Sequence, residues 1–252
     1  MVERSKDVQR RLNLLMDVWN DIISLWESGR KVDREFVVRM LREAYERERI
    51  SPLRGASMPE DIYDKEMASL YVVGKYGMGL EEVYPNLFDE IFKDEVKYEK
   101  AIAALLTEEP ETARAKVQVL LGRLDDNVIA RMLRLKFTEI YFGFADEEAL
   151  VSLVKALIKA FPEKERIAVK YARFYIAFKI ASAISRGEVR NRITKEALKQ
   201  ATALNFDGLQ GVIPDDNYIS KIAVEVFRVR PQRLRGILKT GDRRREKKPR
   251  EA

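Results

Sequence analysis

The stretch KDVQRRLNLLMDVWNDIISLWES, residues 6–28, decides the fold class of this chain. Its large apolar side chains recur every three or four residues, a spacing that places them on one face of an α-helix. They are Val8, Leu12, Leu15, Trp19, Ile22 and Trp26. Gly29 follows directly, and glycine is favoured just beyond a helix end because it adopts the left-handed conformation without steric cost. The stretch therefore predicts an amphipathic helix that buries one apolar face.

The same spacing continues along almost the whole chain, and strand patterns are nearly absent. Further helices are predicted to begin at Asp33, Pro85 and Thr194, and another is predicted to end at about Tyr76. The remaining helices are predicted over about residues 111–123, 127–142, 147–161, 163–186, 217–229 and 232–238. We therefore expect an all-α protein, an irregular multi-helix bundle of about nine to eleven helices over residues 1–239. Two sub-bundles are predicted to meet near residues 107–112. Residues 240–252 are too polar to form a packed core and are predicted to be a disordered basic tail.

The 252 residues include no cysteine and no histidine. This excludes disulfides, thiolate or histidine metal sites, and catalysis by a cysteine nucleophile or a histidine base. Any catalysis would use carboxylates, Lys, Tyr, hydroxyls or carboxylate-bound Mg²⁺. Charged residues make up 35% of the chain, which is typical of proteins from thermophiles. Neither an apolar signal region nor a long apolar span is present, so we expect a cytoplasmic protein with no membrane partner.

Positive charge is concentrated at the C-terminal end. The formal net charge is +6, but residues 228–252 carry +8, from eleven Lys or Arg and three acidic residues, and residues 1–227 carry −2. Clustered Lys and Arg neutralise phosphates and release counterions, which gives sequence-independent affinity that falls with salt. The alternative is a tail that only solubilises the protein. The candidate nucleic-acid-binding residues are Arg228, Arg230, Arg233, Arg235, Lys239, Arg243, Arg244, Arg245, Lys247 and Lys248.

A second candidate region is the loop and helix that contain Pro52, Gly55 and three later glycines. The residues proposed to contact a ligand or partner there are Arg54, Gly55, Asp64, Lys65 and Lys75. No phosphate-binding glycine motif follows a strand in this region. Helix capping and core packing explain most of its residues, so a purely structural role is the main alternative. The nearby carboxylates do not predict a metal site, because acid pairs are common on helices of a highly charged protein.

Four aromatic residues, Tyr171, Phe174, Tyr175 and Phe178, recur at helical spacing in one long apolar segment. Aromatic side chains can stack on nucleic-acid bases. At this spacing within an apolar helix, however, they more often belong to the core. We therefore interpret them as core residues, with base stacking as the alternative.

The stretch DIYDKEMASLYVVGKYGMGLEE, residues 61–82, with PLRG at residues 52–55, resembles an uncharacterised protein family of thermophilic archaea, a domain of unknown function. The resemblance covers most of residues 5–239. It implies an archaeal, thermophilic and cytoplasmic source. It implies no activity, so it assigns no role to any residue.

The basic C-terminal segment carries the functional hypothesis. We expect a non-enzymatic RNA-associated protein, in particular a ribosome-associated one, whose basic arm binds the phosphate backbone. RNA is favoured over DNA, a ribosomal or other protein is a further expected partner, and no cofactor is expected. The first alternative is a helical protein-interaction or scaffold module whose tail only solubilises it. The second is an enzyme that uses carboxylates between Arg54 and Lys75.

Overall fold

A computed structural model describes residues 6–50, 62–77 and 79–239, with side chains from Lys65 onward in the second range. Over these residues the chain forms twelve α-helices, one 3-10 turn and no strand, which confirms the predicted all-α class. The helices are α1 (Lys6–Glu27), α2 (Arg34–Arg47), α3 (Ile62–Gly77), α4 (Leu80–Val83), α5 (Pro85–Thr107), α6 (Pro110–Leu121), α7 (Asp126–Phe142), α8 (Glu147–Ala160), α9 (Glu165–Arg186), α10 (Arg192–Leu204), α11 (Asp216–Glu225) and α12 (Pro231–Leu234); the 3-10 turn is Pro162–Lys164.

Capping side chains place several helix starts where the sequence predicted them. Asp33 accepts a hydrogen bond from the Phe36 backbone N–H, and Asp125 and Asp215 cap α7 and α11 in the same way. Such a cap satisfies a backbone donor that the first helical turn leaves without a partner. The predicted first helix is confirmed to within one residue, and Gly29 adopts the left-handed conformation with φ of 77°.

Four predicted helices differ from the structure in their bounds, and one single-turn helix was not predicted. Helix α10 begins at Arg192 rather than Thr194, because Asn191 and Thr194 form a capping box in which Thr194 is the third helical residue. The predicted helix 217–229 ends at residue 225, the predicted helix 232–238 is a single turn, and the predicted 163–186 helix is preceded by a separate 3-10 turn. The single turn α4 was not predicted at all. Short turns of this kind have no apolar periodicity for a sequence pattern to reveal.

Three helices, α3, α7 and α9, form the centre of the bundle. Helix α3 packs between α1 and α7, α7 packs on α9, and α9 packs on α10 and α11. Residues 65–74 of α3 are buried without interruption, and α7 is buried over nearly all of residues 129–139. A helix buried on every side belongs to the interior of a domain. The other helices surround this row and expose one face each.

The aromatic residues of α9 lie in this interior. Tyr171, Phe174 and Tyr175 are buried, and Phe178 is partly buried against Phe137 at 4.9 Å between ring centroids. Their interpretation as core residues is therefore confirmed. Among the described residues, no helix is both long enough and apolar enough to cross a membrane.

Candidate nucleic-acid interface

The folded part of the predicted basic segment lies on the protein surface after α11. Arg228, Arg230, Arg233, Arg235 and Lys239 are all exposed. Between them, Val229, Leu234, Ile237 and Leu238 are buried and fasten the segment to the bundle. The buried apolar residues hold the backbone against the bundle, and the basic residues between them project into solvent. The other predicted residues, Arg243, Arg244, Arg245, Lys247 and Lys248, lie outside the described residues.

An open pocket of about 420 Å³ lies among these arginines. It is lined by Arg228, Arg230 and Arg233, by the polar residues Ser185 and Gln232, and by Phe227 and Val229. Guanidinium groups offer several N–H donors in a planar fork that matches phosphate oxygens. The pocket therefore presents donors and positive charge in an open concave surface whose volume falls within the range of small-molecule sites.

A second basic stretch, RGEVRNR at residues 186–192, reaches the same surface. The Arg233 guanidinium lies against Ser185 and Gly187: its Nη1 donates to the Ser185 carbonyl oxygen at 3.4 Å, and its Nη2 lies 3.2 Å from where a Gly187 side chain would begin. Arg190 Nε donates to the Gly187 carbonyl oxygen at 2.8 Å, so two guanidinium groups lie beside the same glycine. This stretch was not among the predicted binding residues, although its net charge of +2 within seven residues is visible in the sequence.

We define the basic surface as Arg190, Arg192, Arg228, Arg230, Arg233, Arg235 and Lys239. Within the described ranges, no carboxylate forms a salt bridge with the side chain of Arg190, Arg192, Arg230, Arg233 or Arg235. Elsewhere in the bundle many Lys and Arg side chains do pair with acids; neighbouring Arg186 bonds to Glu188 at 2.7 Å. The positive charges of these five arginines are thus not neutralised by acids of the described residues, which favours binding of a polyanion.

The backbone at Arg228 takes an uncommon conformation. Its φ of 55° lies in the left-handed region, and the Val229 N–H donates to the Ala223 carbonyl oxygen at 2.9 Å. This hydrogen bond spans six residues, one more than the 6→1 bond of a Schellman motif, and closes the turn after α11; glycine is the usual residue at a left-handed position. An arginine there costs about 1 kcal/mol. The turn redirects the chain after α11 and brings Arg228 and Arg230 to the same pocket.

A buried ion pair anchors the end of the basic surface. Lys195 of α10 is 1% exposed, and its Nζ donates to Asp216 Oδ1 at 2.6 Å and lies 2.9 Å from Glu196 Oε1. The other oxygen of Asp216 accepts the Lys239 backbone N–H at 2.6 Å. Burial acts to raise the pKa of Asp216, but the hydrogen bonds from Lys195 and Lys239 outweigh burial and lower the pKa. Asp216 therefore stays ionised and ties α10, α11 and the chain at Lys239 together.

The second candidate region is only partly described. Arg54, Gly55 and the side chain of Asp64 lie outside the described residues. Lys65 is 5% exposed and faces the core. Lys75 is half-buried and bonds to Glu99 Oε2 at 3.1 Å. The two lysines therefore serve the interior of the bundle, and the ligand hypothesis for this region stays a prediction.

Lys75 borders a group of charged residues between α3, α5 and α7. Lys136 Nζ donates to Glu139 Oε2 at 2.6 Å, and the Tyr76 hydroxyl donates to Glu139 Oε1 at 3.2 Å. Burial raises the pKa of Glu139, and the charge of Glu99 adds to the increase. A carboxyl with a raised pKa can act as a general acid. Glu139 is 1% exposed, however, so a substrate could not reach it without rearrangement of the bundle.

The described residues contain no group of three or more acidic side chains that could hold a metal ion. A family model described as "Uncharacterized protein conserved in archaea (DUF2192)" matches residues 6–238. The chain belongs to this archaeal family. The DUF2192 match includes all of α1 to α12, and with them both basic stretches up to Leu238. No curated protein and no solved structure matches the chain.

Proposed function

We propose that this DUF2192 protein is a non-enzymatic RNA-associated protein that binds the phosphate backbone through the basic surface. The observation that carries the proposal is the convergence of two basic stretches, residues 186–192 and 228–239, on one exposed face where Arg190, Arg230, Arg233 and Arg235 form no salt bridge with an acid of the described residues. Such a surface gives affinity that does not depend on base sequence. The basic residues Arg243 to Lys248 extend the same charge along the chain. Within the cytoplasm, ribosomal particles offer the densest RNA surface, and we propose them as the target.

The first test is the affinity of the full chain for a fluorescently labelled single-stranded RNA, followed by anisotropy at several salt concentrations. The triple variant Arg230→Gln, Arg233→Gln, Arg235→Gln removes three charges from the basic surface. Its affinity should fall about tenfold or more, and the slope of log K against log salt should become less steep by about 2, because each single-strand phosphate contact contributes about 0.7.

A matched control removes three charges from another helix. Lys93, Lys97 and Lys100 are exposed on α5. Helix α5 has no substantial packing contact with α11 or α12. The Lys93→Gln, Lys97→Gln, Lys100→Gln variant should bind RNA nearly as the native chain does. Equal weakening in both triple variants would mean that only net charge matters and would overturn the proposed surface. Equal affinity for duplex DNA would remove the preference for RNA.

Deletion of residues 240–252 tests the contribution of the basic arm separately. Leu234, Ile237 and Leu238 are 1%, 4% and 1% exposed, so a deletion that began at Arg228 would remove core residues and damage the fold. The shorter deletion leaves them in place. We expect it to weaken RNA binding and flatten the salt dependence without changing the melting temperature. Unchanged affinity would restrict the interface to the folded basic surface.

A further inference from the structure

Helix α10 turns an apolar stripe away from the protein. Ile193, Ala197, Ala201 and Leu204 lie within roughly 80° of one another around the helix axis at 3.6 residues per turn. All four are exposed, and Ile193 and Leu204 are 81% and 71% exposed. The opposite face of the helix packs towards α9 and buries Lys195 and Thr202. Leu198 and Ala203 pack partly against the core, so α10 carries a second apolar stripe on its solvent side, where a surface helix is usually polar.

We propose that α10 pairs with α10 of a second copy of this chain, antiparallel and around a two-fold axis. The stripe is self-complementary in that arrangement, as a two-fold interface requires. Ile193 lies opposite Leu204 of the second copy, and Ala197 lies opposite Ala201 of the second copy. The small central residues allow close approach of the two backbones, and the large residues close the interface at both ends. In a parallel pair each residue would instead lie opposite the same residue of the second copy. Ala197 and Ala201 would then face only alanines.

The charges around α10 favour the same pairing. Arg190 and Arg192 lie at the N-terminal end of the helix, whose first turn contains no acidic residue. The N-terminal end carries partial positive charge, so these arginines are unfavourably placed with respect to their own helix dipole. In an antiparallel pair they lie beside the negative C-terminal end of the other helix and its exposed Asp207. Along one flank, Glu196 faces Gln200 of the second copy, so like charges do not meet.

The size of α10 limits the strength of the pair. Its 13 residues span about 20 Å. One pair of helices of this length buries an area at or below the lower end of the roughly 1,200–2,000 Å² typical of stable interfaces. We therefore expect a dimer that forms in the micromolar range and dissociates on dilution. Pairing would engage Arg190 and Arg192 with the second copy but place two sets of Arg230, Arg233, Arg235 and Lys239 on one particle, which raises the avidity for a polymer of phosphates.

The test is sedimentation of the full chain across the micromolar range in the absence of nucleic acid, which makes it independent of RNA binding. Ile193→Glu and Leu204→Glu should each weaken dimerisation by about tenfold or more, because pairing would bury an unpaired carboxylate. Val119→Glu is the matched control, since Val119 is 85% exposed on α6 and the substitution is the same. It should dimerise as the native chain does. A chain that stays monomeric throughout the range, or equal effects of all three substitutions, would overturn the proposal.

Cysteine crosslinking then tests the orientation of the pair. The chain has no cysteine, so any disulfide comes from the introduced residues alone. Ile193→Cys and Leu204→Cys chains that carry different tags should crosslink when mixed and oxidised, because the two positions are opposite each other only in the antiparallel pair. Homodimers of either single variant at equal or higher yield would contradict this orientation. Circular dichroism of each variant should match that of the native chain, because both positions are largely exposed.

Discussion

Replacement of Glu95 by alanine should lower the free energy of unfolding by about 3–5 kcal/mol, the cost of removing one partner from a buried ion pair. The Glu95 side chain is fully buried in α5. It accepts hydrogen bonds from Arg34 of α2, at 3.2 Å, and from Arg131 of α7. Without the carboxylate, the partly buried guanidinium groups of Arg34 and Arg131 would lose their shared acceptor at the contact between three helices. Urea unfolding followed by circular dichroism at 222 nm measures the change.

Glu90→Ala provides the control for this experiment, because Glu90 is exposed on the same helix. We expect its effect to lie within about 0.5 kcal/mol of zero, as for most surface substitutions. A loss of less than about 1 kcal/mol for Glu95→Ala would mean that water or a rearranged side chain compensates the arginines. In that case the ion pairs of Glu95 with Arg34 and Arg131 would not stabilise the fold.

The sequence revealed the helical class because apolar spacing and capping residues are local signals. The stripe from Val8 to Trp26 and the caps Asp33, Asp125 and Asp215 each depend on residues within one or two turns. Glu95 carries no such signal. Its partners lie 61 and 36 residues away along the chain, and the sequence around it reads as an ordinary charged helix face. Burial of a charged group is a property of tertiary packing, which periodicity does not encode.

The basic surface shows the same limit. Arg228 to Lys239 could be predicted because they are dense in charge and adjacent in sequence. Arg190 joins them only because Gly187 and Arg233 meet in the folded chain. Helix α10 is a different case: its apolar stripe is plain in the sequence, but the pattern alone predicts that the stripe faces the core. Burial of Lys195 by pairing with Asp216 reverses that expectation.

Replacement of Lys195 by methionine should destabilise the protein by about 3 kcal/mol and also weaken RNA binding, although Lys195 is too buried to contact RNA. Methionine fills a similar volume but leaves the carboxylate of Asp216 without its buried cation. Asp216 also holds the Lys239 backbone N–H, so its reorganisation would release the end of the basic surface. Anisotropy with the labelled RNA and urea unfolding measure the two effects. Lys199→Met, one turn along α10, removes a lysine that pairs with Glu196 at 3.2 Å and does not hydrogen-bond to Asp216 among the described residues; it should change both quantities much less.

The pH dependence of the same variant tests the ion pair directly. The folded-state pKa of Asp216 is lowered, so its stabilising contribution is present above the unfolded-state pKa of about 3.9 and is lost as the pH falls through the folded-state value. The stability difference between the native chain and Lys195→Met should therefore be largest near neutral pH and shrink below about pH 4. A difference that stays constant down to acid pH would show that Lys195 stabilises the protein by packing of its aliphatic stem. In that case, release of the chain at Lys239 would not explain a loss of RNA binding at neutral pH.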